Sequence, residues 1–299
     1  MSLSNLRFTI EMLPPIPARP RNAHKGDFGR VLIVAGSRGM SGAAILSGIA
    51  CIRSGAGLVT IATPRETQPI VATGFPCYMT LPLPQDEFGC MAATAWAVLQ
   101  PHLQNCDILA IGPGLGRTAS VQSILERIVR EFAGRVIWDA DALFGLAKIS
   151  PEPLQQHSGE WILSPHSGEA GRLLQCDAAT IEADRVAAIE QLVERYRATI
   201  ILKGHRTLVA DSTRLYENLT GNPGMATGGC GDVLTGILAG LWPVLGDPWS
   251  TASHAVAVHG RAGDLAAESL GEISLSASDL LDTLPTAFRE RCAIRNDQP

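Results

Sequence analysis

What this sequence lacks narrows it first. Its 299 residues contain no Gly-Lys pair, so the GxxxxGK[ST] phosphate loop is excluded. The seven cysteines (51, 77, 90, 106, 176, 230 and 292) are odd in number and never spaced CxxC. A cysteine-held structural zinc and a disulfide framework are therefore disfavoured, and a reducing, cytoplasmic setting is expected. There is no long basic run, and 29 acids against 24 bases leave a net charge of −5. Nucleic acid and anionic membrane surfaces drop out as partners. No apolar run approaches the ~20 residues that span a bilayer. A basic segment followed by an apolar core, the mark of a secretory signal, is missing from the N-terminus. The sequon Asn218-Leu219-Thr220 is then a coincidence.

What is present describes one sizeable core, since 46% of the residues are hydrophobic and 18% charged. A Pro- and Arg-rich arm occupies residues 1–24, a single domain 25–290, and a short tail 291–299. Near-continuous runs of Val, Ile and Leu predict strands at 30–37, 58–64, 106–113, 135–142, 160–166 and 199–204, with shorter ones at 207–211 and 214–218. Helical spacing marks the stretch after Ser41 and the segments 120–133, 181–196, 232–242, 249–269 and 278–291. Such alternation predicts an α/β fold, a mostly parallel sheet covered by helices on both faces.

In open parallel sheets, ligands sit beyond the carboxyl ends of the strands. Unusual residues collect at those ends here: GS at 36–37, GPGLG at 112–116, DAD at 139–141, PHSGE at 165–169 and KGHRT at 203–207. GPGLG misses the GxGxxG dinucleotide pattern by one residue, which disfavours a conventional dehydrogenase. The stretch GNPGMATGGCGD (221–232) sets five glycines ahead of Asp232 at the start of a helix. Gly228, Gly229 and Gly231 let backbone approach a ligand, and the helix start offers unpaired N–H groups to phosphate. A carboxylate at the mouth of that loop is placed to take the proton of an attacking hydroxyl. The plainer reading, an acid that only caps the helix, suits a lone Gly-Asp better than this run. His254 and His259 are five apart, which does not share a helical face, and are read as structural.

These motifs together, with KGDFGRVLIVAGS, SPHSGEAGRLL and ILKGHRTLVAD, resemble the ADP/ATP-dependent NAD(P)H-hydrate dehydratases, a branch of the ribokinase-like superfamily. The resemblance runs from about Lys25 to about Pro285. It implies a three-layer ribokinase-like sandwich and the dehydration of hydrated NADH and NADPH at the expense of ADP, with ATP as the other donor in the family. It implies Asp232 as the base, and Ala44, Gly114, His166 and Asp232 at the substrate. Lys203, Gly204, His205, Arg206, Thr207 and Gly231 match the nucleotide-binding positions. Asp139, Asp141 and Glu169 are candidates to orient Mg²⁺ or its waters, or simply to cap helices. A homo-oligomer, tetrameric in size, is expected, with the partner epimerase encoded separately. Cys230, Ala35 and Ser167 depart from the commoner family residues. The nearest rival is a kinase of the same superfamily, of hydroxyethylthiazole or hydroxymethylpyrimidine type.

Overall fold

In the computed structural model, residues 7–8 and 12–292 are described. Ten strands form one sheet in the order β1-β10-β9-β8-β7-β6-β5-β2-β3-β4. They are β1 (Arg7–Phe8), β2 (Arg30–Val34), β3 (Leu58–Pro64), β4 (Met79–Leu83), β5 (Ile108–Ile111), β6 (Arg135–Trp138), β7 (Trp161–Leu163), β8 (Thr199–Leu202), β9 (Leu208–Ala210) and β10 (Leu215–Glu217). From β8 to β4 every pairing is parallel, and β9 alone runs against its neighbours. The helices are α1 (Ser41–Arg53), α2 (Gln68–Gly74), α3 (Trp96–Leu103), α4 (Ala119–Glu131), α5 (Asp141–Leu146), α6 (Pro151–Gln156), α7 (Ser167–Leu174), α8 (Ala178–Ala183), α9 (Arg185–Tyr196), α10 (Cys230–Leu245), α11 (Pro248–Leu270) and α12 (Ala277–Arg291).

The period of two along each strand divides the core. Val31, Ile33, Ile108, Ala110, Ile137, Ile162 and Ile201 face α1, α10, α11 and α12. Leu32, Val34, Leu109, Ile111, Val136, Trp138 and Leu163 face α3, α4, α5, α7 and α9. Both faces of the sheet are thus covered, which is why its strands read as unbroken apolar runs. The α/β sandwich expected from the sequence is the one observed.

Differences sit where turn chemistry overrides periodicity. The helix expected over 181–196 is two helices, because the Asp184 side chain accepts the Ala187 N–H at 2.9 Å and starts α9 afresh. The strand expected over 135–142 stops at Trp138. Helices α2, α3, α5, α6 and α7 and strand β4 were not anticipated; α3 carries Pro101 and β4 carries Pro82. Proline is tolerated in β4 because that strand is the sheet's edge. Of the expected arm, Leu13 and Ile16 are buried, and the Ile16 N–H reaches the Arg291 carbonyl at 2.9 Å. The expected tail lies outside the described residues beyond Cys292. Among the described residues, no helix is long and apolar enough to cross a membrane.

Helix α10 is largely apolar and buried from Val233 to Trp242, packed on the sheet beside α1. That approach depends on Gly236. A Cβ there would lie 2.6 Å from Ala50 Cβ and 2.9 Å from the Cys51 nitrogen, and it would strike the Ser47 carbonyl. Helix propensity favours Ala over Gly by about 1 kcal/mol. Overpacking against backbone costs about 1–3 kcal/mol, and here the obstacles cannot swing aside. Gly236→Ala is therefore expected to lower the melting temperature by several degrees; an unchanged or raised value would show that the two helices separate freely.

Candidate active site

The chain leaves β2 first for β3 and β4 on one side of the sheet, then for β5 and its successors on the other. The reversal opens a crevice at the carboxyl ends of β2 and β5. Across it the Gly36 N–H donates to the Pro113 carbonyl at 2.8 Å, and the Ser37 hydroxyl donates to the Gly114 carbonyl at 2.7 Å. Gly114 has φ +62°, and a Cβ on it would lie 2.8 Å from Met40 Cβ. Only glycine fits. Ala44 is fully buried behind Gly36, so its methyl presents no surface to a ligand.

Beside this crevice α10 begins. Gly229, at φ +95°, turns the chain into the helix, and Asp232 falls in its first turn. A Cβ added to Gly231 would meet only the Lys203 ammonium, at 3.7 Å, and one added to Gly228 would meet nothing. The loop's backbone is therefore exposed to whatever occupies the site. The Asp232 carboxyl is pushed up to about 7, mainly by burial. Repulsion from Asp139 and, less, Asp141 adds to this, and Lys203 partly offsets it. Its backbone carbonyl accepts from the Ser47 hydroxyl at 3.0 Å, which ties the first turn of α10 to α1.

Lys203, just past β8, holds the cluster together. Its ammonium lies 2.9 Å from Asp139 Oδ1 and 3.6 Å from Glu169 Oε2. Burial works against its charge, but Asp139, Glu169 and Asp232 outweigh that and hold its pKa above the usual value. Asp139 is 1% exposed and accepts further hydrogen bonds from Ser164 Oγ at 2.8 Å and Thr235 Oγ1 at 2.7 Å. Thr235 is three residues beyond Asp232, hence on the same helical face. The intervening Ala140 sits at φ +48°, an unfavourable conformation for a residue with a Cβ. That kink sends Asp139 inward and Asp141 toward the crevice, where Asp141 accepts the Gly116 N–H at 2.9 Å and the Arg117 guanidinium at 2.6 Å.

The structure brings Asp232, Gly231, Lys203, Asp139 and Glu169 together, with Asp141 close enough to be felt. Gly204, His205 and Arg206 form an exposed turn beyond Lys203, where Arg206 pairs with Glu217 at 2.9 Å and Thr207 Oγ1 donates to the Gly204 carbonyl. His166 is exposed. Its Nδ1 accepts the Gly168 N–H at 3.0 Å, which caps α7. The three candidate metal carboxylates do not fit direct ligation. Both Asp139 oxygens and both Asp141 oxygens already accept from the protein, and Glu169 accepts the His166 N–H at 2.9 Å. Among the described residues, no three His, Cys, Asp or Glu side chains stand together as a metal site.

Thr235, Ser164 and Ser47 were missed from sequence. Only Thr235 had a signal, its spacing from Asp232. His254 spans the Ser250 and Pro14 carbonyls, each at 2.8 Å, as a structural residue would. His259 also holds structure: its Nε2 donates to the Cys230 carbonyl at 2.9 Å, and burial pulls its pKa down to about 4. The Cys230 thiol is buried and raised in pKa by that burial.

With this geometry in hand, known proteins are informative. Residues 31–286 match the family model described as NAD(P)H-hydrate dehydratase. The chain belongs to that family. The bifunctional NAD(P)H-hydrate repair enzyme of Moorella thermoacetica is 42% identical over 275 residues, 92% of this chain and 52% of that enzyme. The chain thus spans about half the length of several curated relatives it matches. The ADP-dependent (S)-NAD(P)H-hydrate dehydratase of Listeria monocytogenes is 35% identical, with 92% of each chain covered. The Bacillus subtilis ADP/ATP-dependent NAD(P)H-hydrate dehydratase, co-crystallised with ATP and Mg²⁺, superposes with a TM-score of 0.79 at 29% identity, covering 93% of this chain and 99% of that one. Arabidopsis thaliana ribokinase, at 12% identity and a TM-score of 0.52 over 86% of this chain and 98% of that one, shares the fold alone. Family and ribokinase-like fold both agree with the motifs.

The Asp232 pKa bears on stability. Between its ordinary value of 3.8 and about 7, folded Asp232 keeps a proton that the unfolded chain has lost. Its stabilising contribution is complete below that range and falls away as pH rises through it. Asp232→Asn should therefore melt higher than the parent at about pH 8, with the difference vanishing near pH 4. Equal melting temperatures at about pH 8 would place this carboxyl in water.

Proposed function

We propose that the chain dehydrates (S)-hydrated NADH and NADPH, using ADP and releasing AMP and phosphate. One observation carries this: a carboxyl with its pKa raised to about 7, set beside a buried ammonium at the start of a glycine-led helix. Hydroxide leaves carbon poorly, so the 6-hydroxyl must first become a better leaving group. Asp232 takes the hydroxyl proton as its oxygen attacks the terminal phosphorus, and AMP departs from that phosphorus. A pKa near the working pH suits that transfer, since about half of the group is ionised and the ionised form is still basic. The open backbone at Gly228 and Gly231 and the Lys203 ammonium face the charge that builds on the transferring phosphoryl group. The C6–O bond then breaks, pushed by the ring nitrogen's lone pair; phosphate takes the bonding electrons and a C5 proton is lost.

In this reading the hydrated tetrahydropyridine ring lies over Gly114 and near His166, while Lys203 to Thr207 and Gly231 take the nucleotide. Asp139, held by Thr235 and Ser164, fixes Lys203. Mg²⁺ would come with the nucleotide's phosphates, with Asp141 rather than the enclosed Asp139 available to its waters, and would supply charge neutralisation.

Incubation with hydrated NADH and ADP tests the proposal. Reduced-nicotinamide absorbance should recover while phosphate and AMP appear in equal amounts; a stable phosphoester would instead make the protein a kinase. Asp232→Asn should bind both ligands yet lose at least ~10²-fold in turnover. The acid limb of the parent's kcat/KM should fall away below about pH 7, because protonated Asp232 cannot accept a proton.

A further inference from the structure

The Lys203 side chain is held by Asp139, but its backbone has a support of its own. The Lys203 N–H donates to the Pro165 carbonyl at 2.8 Å, which extends the pairing of β7 with β8. The carbonyl just before it, on Leu202, accepts from Arg185 Nη2 at 2.9 Å. The residue just after it, Gly204, sits at φ +147°. A Cβ on Gly204 would lie 3.2 Å from both Arg185 Cζ and Arg185 Nη2, and it would strike Nη1. One guanidinium thus braces the peptides on either side of Lys203. It also fills the room that a side chain at 204 would need.

Arg185 is itself held, and against local preference. It opens α9, where a cation opposes the helix dipole. A residue that breaks a local rule in this way is expected where a site requires it. Its side chain is 17% exposed, and Nη1 lies 3.5 Å from Glu182 Oε2 on α8. Glu182 in turn accepts a hydrogen bond from the Ser167 hydroxyl, next to His166. The turns at 165–169 and 203–207 therefore share a support from α8 and α9, separate from Asp139. Its strongest link is the charged donor on the Leu202 carbonyl. The half-exposed Glu182 contributes little by comparison.

Resting on the dehydratase reading, we infer that Arg185 is a positioning residue, which sets where the Lys203 ammonium meets the nucleotide's phosphate. A lysine presents a point charge on a flexible four-carbon stem. Such a charge is placed no better than the backbone at its root. Asp139 restrains the tip of that stem and Arg185 its root, so together they leave the ammonium little freedom. A displacement of about 1 Å matters here, because phosphoryl transfer depends almost wholly on positioning and electrostatics. In this role Arg185 acts through Lys203 and touches none of the reacting atoms.

Calorimetry with ADP tests this. Arg185→Gln should bind ADP about tenfold more weakly than the parent, while the KM for hydrated NADPH stays unchanged. Arg185→Lys, which keeps a donor for the Leu202 carbonyl, should recover most of that loss. Ser167→Ala should weaken ADP binding by about twofold at most, since it frees only the exposed Glu182. The deciding measurement is a double-mutant cycle. In a Lys203→Gln background, Arg185→Gln should weaken ADP binding by less than about twofold further, because the charge it positions is gone. A full tenfold loss in that background, or equal ADP affinity in parent and Arg185→Gln, overturns the inference. So does a matching loss of affinity for hydrated NADPH, which would make Arg185 a general support of the fold. A parent that binds ADP but never dehydrates hydrated NADPH overturns the dehydratase reading instead, and the ADP cycle still decides the role of Arg185.

Discussion

The buried pair between Lys203 and Asp139 is the constraint on which this site depends. An ammonium so enclosed remains charged only if acids surround it, and an enclosed carboxylate remains ionised only if donors surround it. Asp139 meets that need with Ser164, Thr235 and Lys203, which arrive from three separate elements. The pair therefore fixes β7, β8 and α10 relative to one another. Asp232 takes its character from the same arrangement. It is close enough to Asp139 to be discouraged from ionising, and close enough to Lys203 to ionise near neutrality.

Glycine supplies the remaining geometry at very few positions. Gly114 and Gly229 adopt left-handed backbone where the chain turns into the crevice and into α10. Gly236 lets α10 rest against α1, whose Ser47 in turn holds the carbonyl of Asp232. The reactive carboxyl is thus anchored from behind through backbone while its side chain stays unbonded. His259 adds a second anchor two residues back, on the carbonyl of Cys230.

Much of this was legible in the sequence. Alternating apolar runs and helical segments placed the central strands, because a sheet covered on both faces needs apolar residues at every position. The glycine loop, Asp232 and Lys203 could be read because each stands at a strand end or helix start, where a core has no use for them. What stayed hidden depends on distance through space. Nothing in the chain says that Thr235 and Ser164 share Asp139, residues 96 and 25 positions away. Capping α7 turns the ring of His166 outward, which its place in the chain does not reveal. Edge strand β4 and helix α3 were obscured by their prolines, Pro82 and Pro101.

Strand β9 reverses direction within an otherwise parallel stretch, so β8 returns through a tight exposed turn rather than a crossover helix. Residues 204–207 thereby hang from the sheet's rim, with little of the core resting on them. Mutation can lengthen, shorten or recharge that hairpin while the reacting groups beneath keep their spacing. If the proposed nucleotide seat is here, selectivity for one phosphate donor over another is free to drift without the chemistry having to be reinvented.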